Sequence, residues 1–195
     1  GIIREHGQPK NKARPITPQE LIKMCQCMQS ENSLTSARDL PLILVGFFAA
    51  LRRSELIAIT IEHIKKHKEG IEILLPTSKT DQQHVGQFVA IPFGNDILCP
   101  IAALDHWLQL SGISQGAVFR RISAHDQIGS DALSPLVVNL ILKHRALDAN
   151  LNDIEAISSH SLRRGLATSA AKAGAGLQAI MRAGRWKQTD TVMEY

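Results

Sequence analysis

The chain predicts an α+β fold that is mainly helical, with one small antiparallel sheet of about three strands. Three observations predict it. Helix-start signals followed by apolar residues at three- and four-residue spacing recur along most of the sequence. Two β-rich runs, IEILLP and GQFVAIP, stand near the middle, and runs of this kind pair as a hairpin. The chain has 195 residues, 44% of them hydrophobic, which suits one compact domain with a short arm.

The elements follow in order. Residues 1–15 are polar and basic, hold two prolines and show no periodicity, as a linker does. Thr17-Pro18-Gln19-Glu20 starts a helix: Thr17 caps, Pro18 fits the first turn and Glu20 completes a capping box. Leu21, Cys25 and Met28 then share a face. SARDLPLILVGFFAAL repeats the S-x-x-D start at Ser36 and Asp39. Residues 40–51 are apolar nearly all round, which predicts a central buried helix. It runs straight into Arg52-Arg53-Ser54-Glu55, a charged cluster at the end of a core helix that needs an explanation. IEILLP and GQFVAIP form the hairpin, with a third strand near Ile64. Lys79 lies in the connecting TSKTDQQHV turn or at a strand end. Cys99-Pro100 opens the helix IAALDHWLQL, which Gly112 ends. Ser134-Pro135 opens LVVNLILKHRAL. His160-Ser161 opens a helix through Lys172, stopped by Gly174. LQAIMRAG is a short helix ended by Gly184, and Thr189 or Asp190 caps a last one, TVMEY. There are no internal repeats and no low-complexity tracts.

Bulk properties exclude several classes. No apolar run approaches the roughly 20 residues a membrane span needs. The start GIIREHGQPKNKARP has no apolar signal core, so nothing argues for secretion. The three cysteines fit neither a disulfide framework nor a zinc site, and buried thiols in a reducing cytoplasm are the simpler reading. Net charge is +4, but it is concentrated. Between His160 and Lys187 stand Arg163, Arg164, Lys172, Arg182, Arg185 and Lys187, with no Asp or Glu. Clustered cations suit an anionic partner such as phosphate, or a solvated basic face.

His160 and Arg163 stand three residues apart at a helix start, so they share one face. The helix N-terminus adds backbone N–H groups and the positive end of its dipole, a place to hold phosphate. Alone, H-x-x-R is a weak signal. It is joined by Arg52 and Glu55 in ALRRSELIAI, Lys79 in TSKTD, and Trp186 and Tyr195 in GRWKQTDTVMEY, the last two nine positions apart. In this set, over about residues 15–195, the sequence resembles the tyrosine recombinases, the phage integrase family. CPIAALDHWLQLSG also resembles the helix that follows the family's β element.

The resemblance implies an integrase-type catalytic domain over residues 16–195, preceded by a basic arm over residues 1–15. It also implies that the usual N-terminal helical DNA-clamping domain and a tail after the nucleophile lie outside this sequence. The implied reaction is transesterification at a DNA phosphodiester through a 3′-phosphotyrosine, as in integration or excision of a phage or other mobile element. A type IB topoisomerase-like relaxation, or a DNA-binding relative that does not cleave, are the alternatives. Tyr195 is implied as nucleophile. Its phenol has a pKa near 10, and His160 is the implied base. Arg52 and Arg163 offer planar forks to the non-bridging oxygens. Lys79 is the implied acid for the leaving 5′-oxygen. Where most of the family has histidine, this chain has Trp186, as Cre-like members do; an indole donates one N–H and cannot titrate. Glu55 is implied as a support that orients an arginine or the loop. Arg53, Arg164, Lys172, Arg185 and Lys187 are expected DNA contacts. No cofactor and no metal are implied. The expected partners are double-stranded DNA and further copies of the protein, as a tetramer in the synapse, at the bacterial nucleoid in the cytoplasm.

Overall fold

The computed structural model describes residues 13–76, 86–186, 188, 189 and 192. Lys79, Lys187 and Tyr195 lie outside the described residues. The helices are α1 (Pro18–Glu31), α2 (Leu34–Phe48), α3 (Arg53–Ile57), α4 (Pro100–Ser111), α5 (Pro135–Asp148), α6 (Ser159–Lys172) and α7 (Leu177–Gly184). The strands are β1 (Ile64–Lys66), β2 (Gly70–Leu75), β3 (Gln87–Pro92), β4 (Arg120–Ile122) and β5 (Ile128–Ala132). Among the described residues no helix is long and apolar enough to cross a membrane.

Local chemistry accounts for most boundaries. The Glu20 N–H donates to Thr17 Oγ1 at 3.2 Å, and the Thr17 N–H donates to Glu20 Oε2 at 2.9 Å. This is the expected capping box, and it also anchors the arm, because Arg14 Nη1 donates to the same carboxylate. The Arg14 N–H donates to the Ala156 carbonyl at 3.0 Å, so the last residues of the arm pack on the domain. Leu21, Cys25 and Met28 are all buried. Burial pushes the Cys25 thiol up to about 12, so it stays protonated and inert.

The cap of α2 lies three residues before the S-x-x-D signal. Ser33 is its cap: the Ser36 N–H donates to Ser33 Oγ, and the Ser33 N–H returns to Ser36 Oγ at 3.1 Å. Ser36 thus occupies the third helical position, and Asp39 lies in the helix interior. The helix is buried almost all round, packed on α1, α4 and α6. Two glycines bring α2 and α6 together. A Cβ on Gly46 would meet Leu162 Cδ1 at 2.8 Å, and one on Gly165 would meet the Phe47 ring at 2.7 Å.

The core helix stops before the charged cluster. The Leu51 N–H donates to the Gly46 carbonyl and the Ala50 N–H to the Phe47 carbonyl, both at 3.1 Å. This pair of bonds closes a helix through a left-handed residue, normally glycine. Here that residue is Ala50, with φ 46°. Arg52 then opens α3, so the charged cluster begins a new helix instead of ending the old one.

β1, β2 and β3 form an antiparallel sheet in sequence order, with Ile71 opposite Ile91 and Ile73 opposite Val89. These residues and Leu75 face the core, as strict alternation requires. The sequence did not signal the second ribbon, β4–β5. Its strands are short, polar and largely exposed, so no apolar alternation marks them. Trp107 on α4 ties this region to the core, donating from Nε1 to the Val118 carbonyl at 2.9 Å.

Asp39 explains why a carboxylate is tolerated inside α2. Arg38 donates to its Oδ1 from Nε at 2.9 Å and Nη2 at 2.6 Å, and Arg145 on α5 donates to Oδ2 at 2.9 Å. Arg145 also bonds Glu31 at the end of α1. Burial pulls the Arg145 pKa down, but Asp39 and Glu31 outweigh it and hold the pKa above its ordinary value. Removing one member leaves buried charge uncompensated. Asp39→Ala should therefore lower the unfolding free energy by about 3–5 kcal/mol, measured by urea denaturation followed by circular dichroism.

Candidate active site

The left-handed ending of α2 recurs at α7. The Trp186 N–H donates to the Met181 carbonyl at 3.0 Å and the Arg185 N–H to the Arg182 carbonyl at 3.2 Å. Arg185 takes the left-handed position, with φ 55°. The two helix ends meet, and arginines join them. Arg163, on α6 and only 5% exposed, donates from Nη1 to the Ala50 carbonyl and from Nη2 to the Gly184 carbonyl at 3.0 Å. The C-terminal ends of helices carry partial negative charge, so both carbonyls suit a guanidinium. The Trp186 ring lies over that guanidinium, 5.1 Å from Cζ to the ring centroid.

Glu55 joins Arg52 to this arrangement. Its Oε1 accepts from Arg52 Nη1 at 2.6 Å. Its Oε2 accepts from the Arg52 N–H and from Arg185 Nη2, both at 2.8 Å. Burial raises the Glu55 pKa, but the Arg52 N–H and the Arg185 charge overcome that and hold it below the ordinary carboxylate value. The Arg52 side chain remains 51% exposed. The structure thus brings Arg52, Glu55, Arg163 and Trp186 into one cluster.

His160 stands in the first turn of α6, exposed. Surrounding protein lowers its pKa first, followed by the charges of Arg163, Arg53, Arg52 and Arg164. The imidazole is therefore held neutral and can accept a proton. One expectation changes here. The first N–H groups of α6 are already bonded: Ser159 to Asn139 Oδ1 at 2.9 Å, and His160 to Ser158 Oγ at 3.3 Å. Those two N–H groups are not an open phosphate cradle, and the arginines carry the positive field instead.

The expected DNA contacts divide. Arg53 and Arg164 are half-buried near His160. Lys172 is exposed at the far end of α6, about 18 Å from His160 at 1.5 Å per residue. Arg185 turns inward: its side chain is 7% exposed and bonds the Ala49 and Ala50 carbonyls as well as Glu55. No local signal marks that inward turn, because its carbonyl acceptors stand 135 and 136 positions earlier in the chain. Gly184 also has a second role. A Cβ there would overlap the Trp186 ring, so the glycine is the seat of the indole. Val192, in the final segment, is buried against α6 and α7 with Ile180 and Ala167.

Converging arginines beside an exposed histidine and an indole ring define a class of site: a cationic cluster of the kind that attracts an anionic group. The phage integrase family model matches residues 14–195, and the chain belongs to that family. It is 35% identical over 195 residues to an integrase/recombinase xerD homolog of Selenomonas ruminantium, covering all of this chain and 57% of that protein. It is 24% identical over 202 residues to recombinase cre of Escherichia phage P1, covering 97% of this chain and 57% of that protein. The chain thus spans little more than half the length of these relatives. In fold it is similar to the XerH site-specific recombinase bound to palindromic difH substrate, with a TM-score of 0.73 at 17% identity, over 92% of this chain and 48% of that one.

Two outcomes follow from the geometry. The His160 resonances should titrate with a midpoint below 6.5, and Arg53→Ala should move it upward, as read by NMR. Because the folded pKa is depressed, protonating His160 costs stability: its contribution is intact above the unfolded pKa and is lost as pH falls through the folded one. Gly184→Ala should displace the indole, costing about 1–3 kcal/mol as overpacking. It should also red-shift tryptophan emission, since the other indole, Trp107, is fully buried elsewhere.

Proposed function

We propose that this chain is the catalytic domain of a tyrosine site-specific recombinase, which cuts and rejoins DNA through a 3′-phosphotyrosine. The observation that carries the proposal is the junction of the α2 and α7 ends, where Arg52, Arg163 and Trp186 cluster beside a neutral His160.

In the proposed step, Tyr195 Oη forms a bond to the scissile phosphorus as the bond from phosphorus to the 5′-oxygen breaks. The phenol proton passes to His160, and Lys79 protonates the departing 5′-oxygen. Arg52, Arg163 and the Trp186 N–H hold the charge that gathers on the non-bridging oxygens. Losing one such donor costs on the order of 10²–10³ in rate. The bonds of Arg163 to two helix-end carbonyls fix the plane of its fork before substrate arrives, which supports a preorganised role. The phosphotyrosine conserves the ester energy, and a second 5′-hydroxyl reverses the step on a new partner strand. Double-stranded DNA is the proposed substrate, by analogy with the difH-bound XerH, and copies of the protein assemble on it, four in the synapse. Family membership and the two recombinase relatives favour strand exchange over simple relaxation.

A nicked suicide duplex tests this. The chain should form a covalent protein–DNA band that Tyr195→Phe abolishes and Arg163→Ala slows by roughly 10²–10³. A band that survives Tyr195→Phe removes Tyr195 as nucleophile, and strand transfer to a second duplex separates recombination from relaxation.

A further inference from the structure

We infer that Arg185 is a positioning residue for strand cleavage: it locks the Trp186 end of the site to Arg52 through Glu55 and the Ala50 turn. The inference rests on the recombinase reading above. Arg185 occupies a left-handed position, φ 55°, which costs an L-residue about 1–2 kcal/mol relative to ordinary backbone. Such a conformation persists only where its surroundings over-determine it. They do so here. Its guanidinium reaches the Ala49 carbonyl at 3.0 Å, the Ala50 carbonyl at 3.4 Å and Glu55 Oε2 at 2.8 Å. The Ala50 carbonyl is shared with Arg163, so one buried side chain touches the supports of both reactive arginines.

Electrostatics gives the contact a purpose. Glu55 alone would neutralise Arg52 and turn its carboxylate toward an approaching phosphate. Arg185 occupies Oε2, leaving Oε1 for a single arm of Arg52. The group of Arg52, Glu55 and Arg185 keeps a net positive charge, and the half-exposed Arg52 keeps one orientation. The Arg185 guanidinium is engaged by the Ala49 and Ala50 carbonyls and by Glu55 Oε2, so it acts through the groups that hold Arg52 and Arg163.

Arg185→Gly separates this role from a helix-ending one, because glycine relieves the backbone strain. The test measures DNA affinity by anisotropy and covalent-complex formation at saturating suicide duplex, with melting temperature as a folding control. The expected result is affinity within about threefold of the parent and a single-turnover rate about 10–100-fold lower, the scale of a misplacement near 1 Å. Arg185→Lys, which keeps the charge but loses the fork, should fall between. If Arg185→Gly does not fold, the Arg185→Lys rate decides by the same criterion. Adding Glu55→Gln to Arg185→Gly should slow cleavage less than Glu55→Gln does alone, since the two act as one unit. Parental rates in the folded variants overturn the inference, as does an affinity loss with an unchanged rate at saturation, the mark of a DNA contact. Absence of a covalent band from the parent chain instead overturns the recombinase reading, so the two failures are distinct.

Discussion

The site depends on the carbonyl of Ala50. A buried helix must end somewhere, and its last carbonyls need partners inside the protein. α2 ends on a left-handed alanine, and that carbonyl is taken by Arg163 and Arg185. α7 ends the same way, and its Gly184 carbonyl is taken by Arg163. The need to satisfy two helix ends therefore fixes the two guanidiniums. The groups that could stabilise charge on a phosphate are held by the bonds that complete the fold.

The charge balance follows. Among the described residues, several cations gather with one carboxylate, Glu55, among them, and backbone carbonyls add further compensation. Arginine suits this better than lysine, because a planar fork can bond two carbonyls while staying charged. Surrounding protein, and then the same field, disfavours a proton on His160. A neutral imidazole beside arginines can take a proton from a phenol without first losing one.

Packing supports the electrostatics. Gly46 and Gly165 allow α2 and α6 to approach, which sets Arg163 against the Ala50 turn. Gly184 admits the indole of Trp186 over Arg163. The buried pair of Asp39 and Arg145 clamps α2 to α5 away from the site and holds the helix whose end forms it. Small residues at contacts and charges in the interior each serve the placement of one helix terminus.

Much of the fold is written in local pattern. Capping signals at Thr17 and Cys99, the apolar run of α2 and the alternation in β2 and β3 are local, and local rules read them. The order of Arg52, Glu55, His160, Arg163 and Trp186 was also legible, because covalent spacing carries the family pattern. Tertiary structure decided the rest. Ser36 and Asp39 read as a helix-start signal because the partner of Asp39, Arg145, is 106 positions away. Arg185 looked like a DNA contact because its acceptors, 135 and 136 positions earlier, belong to another helix end. The β4–β5 ribbon had no apolar pattern to announce it. A side chain's partner depends on which backbone carbonyls are left without one, and that is settled only when the helices pack.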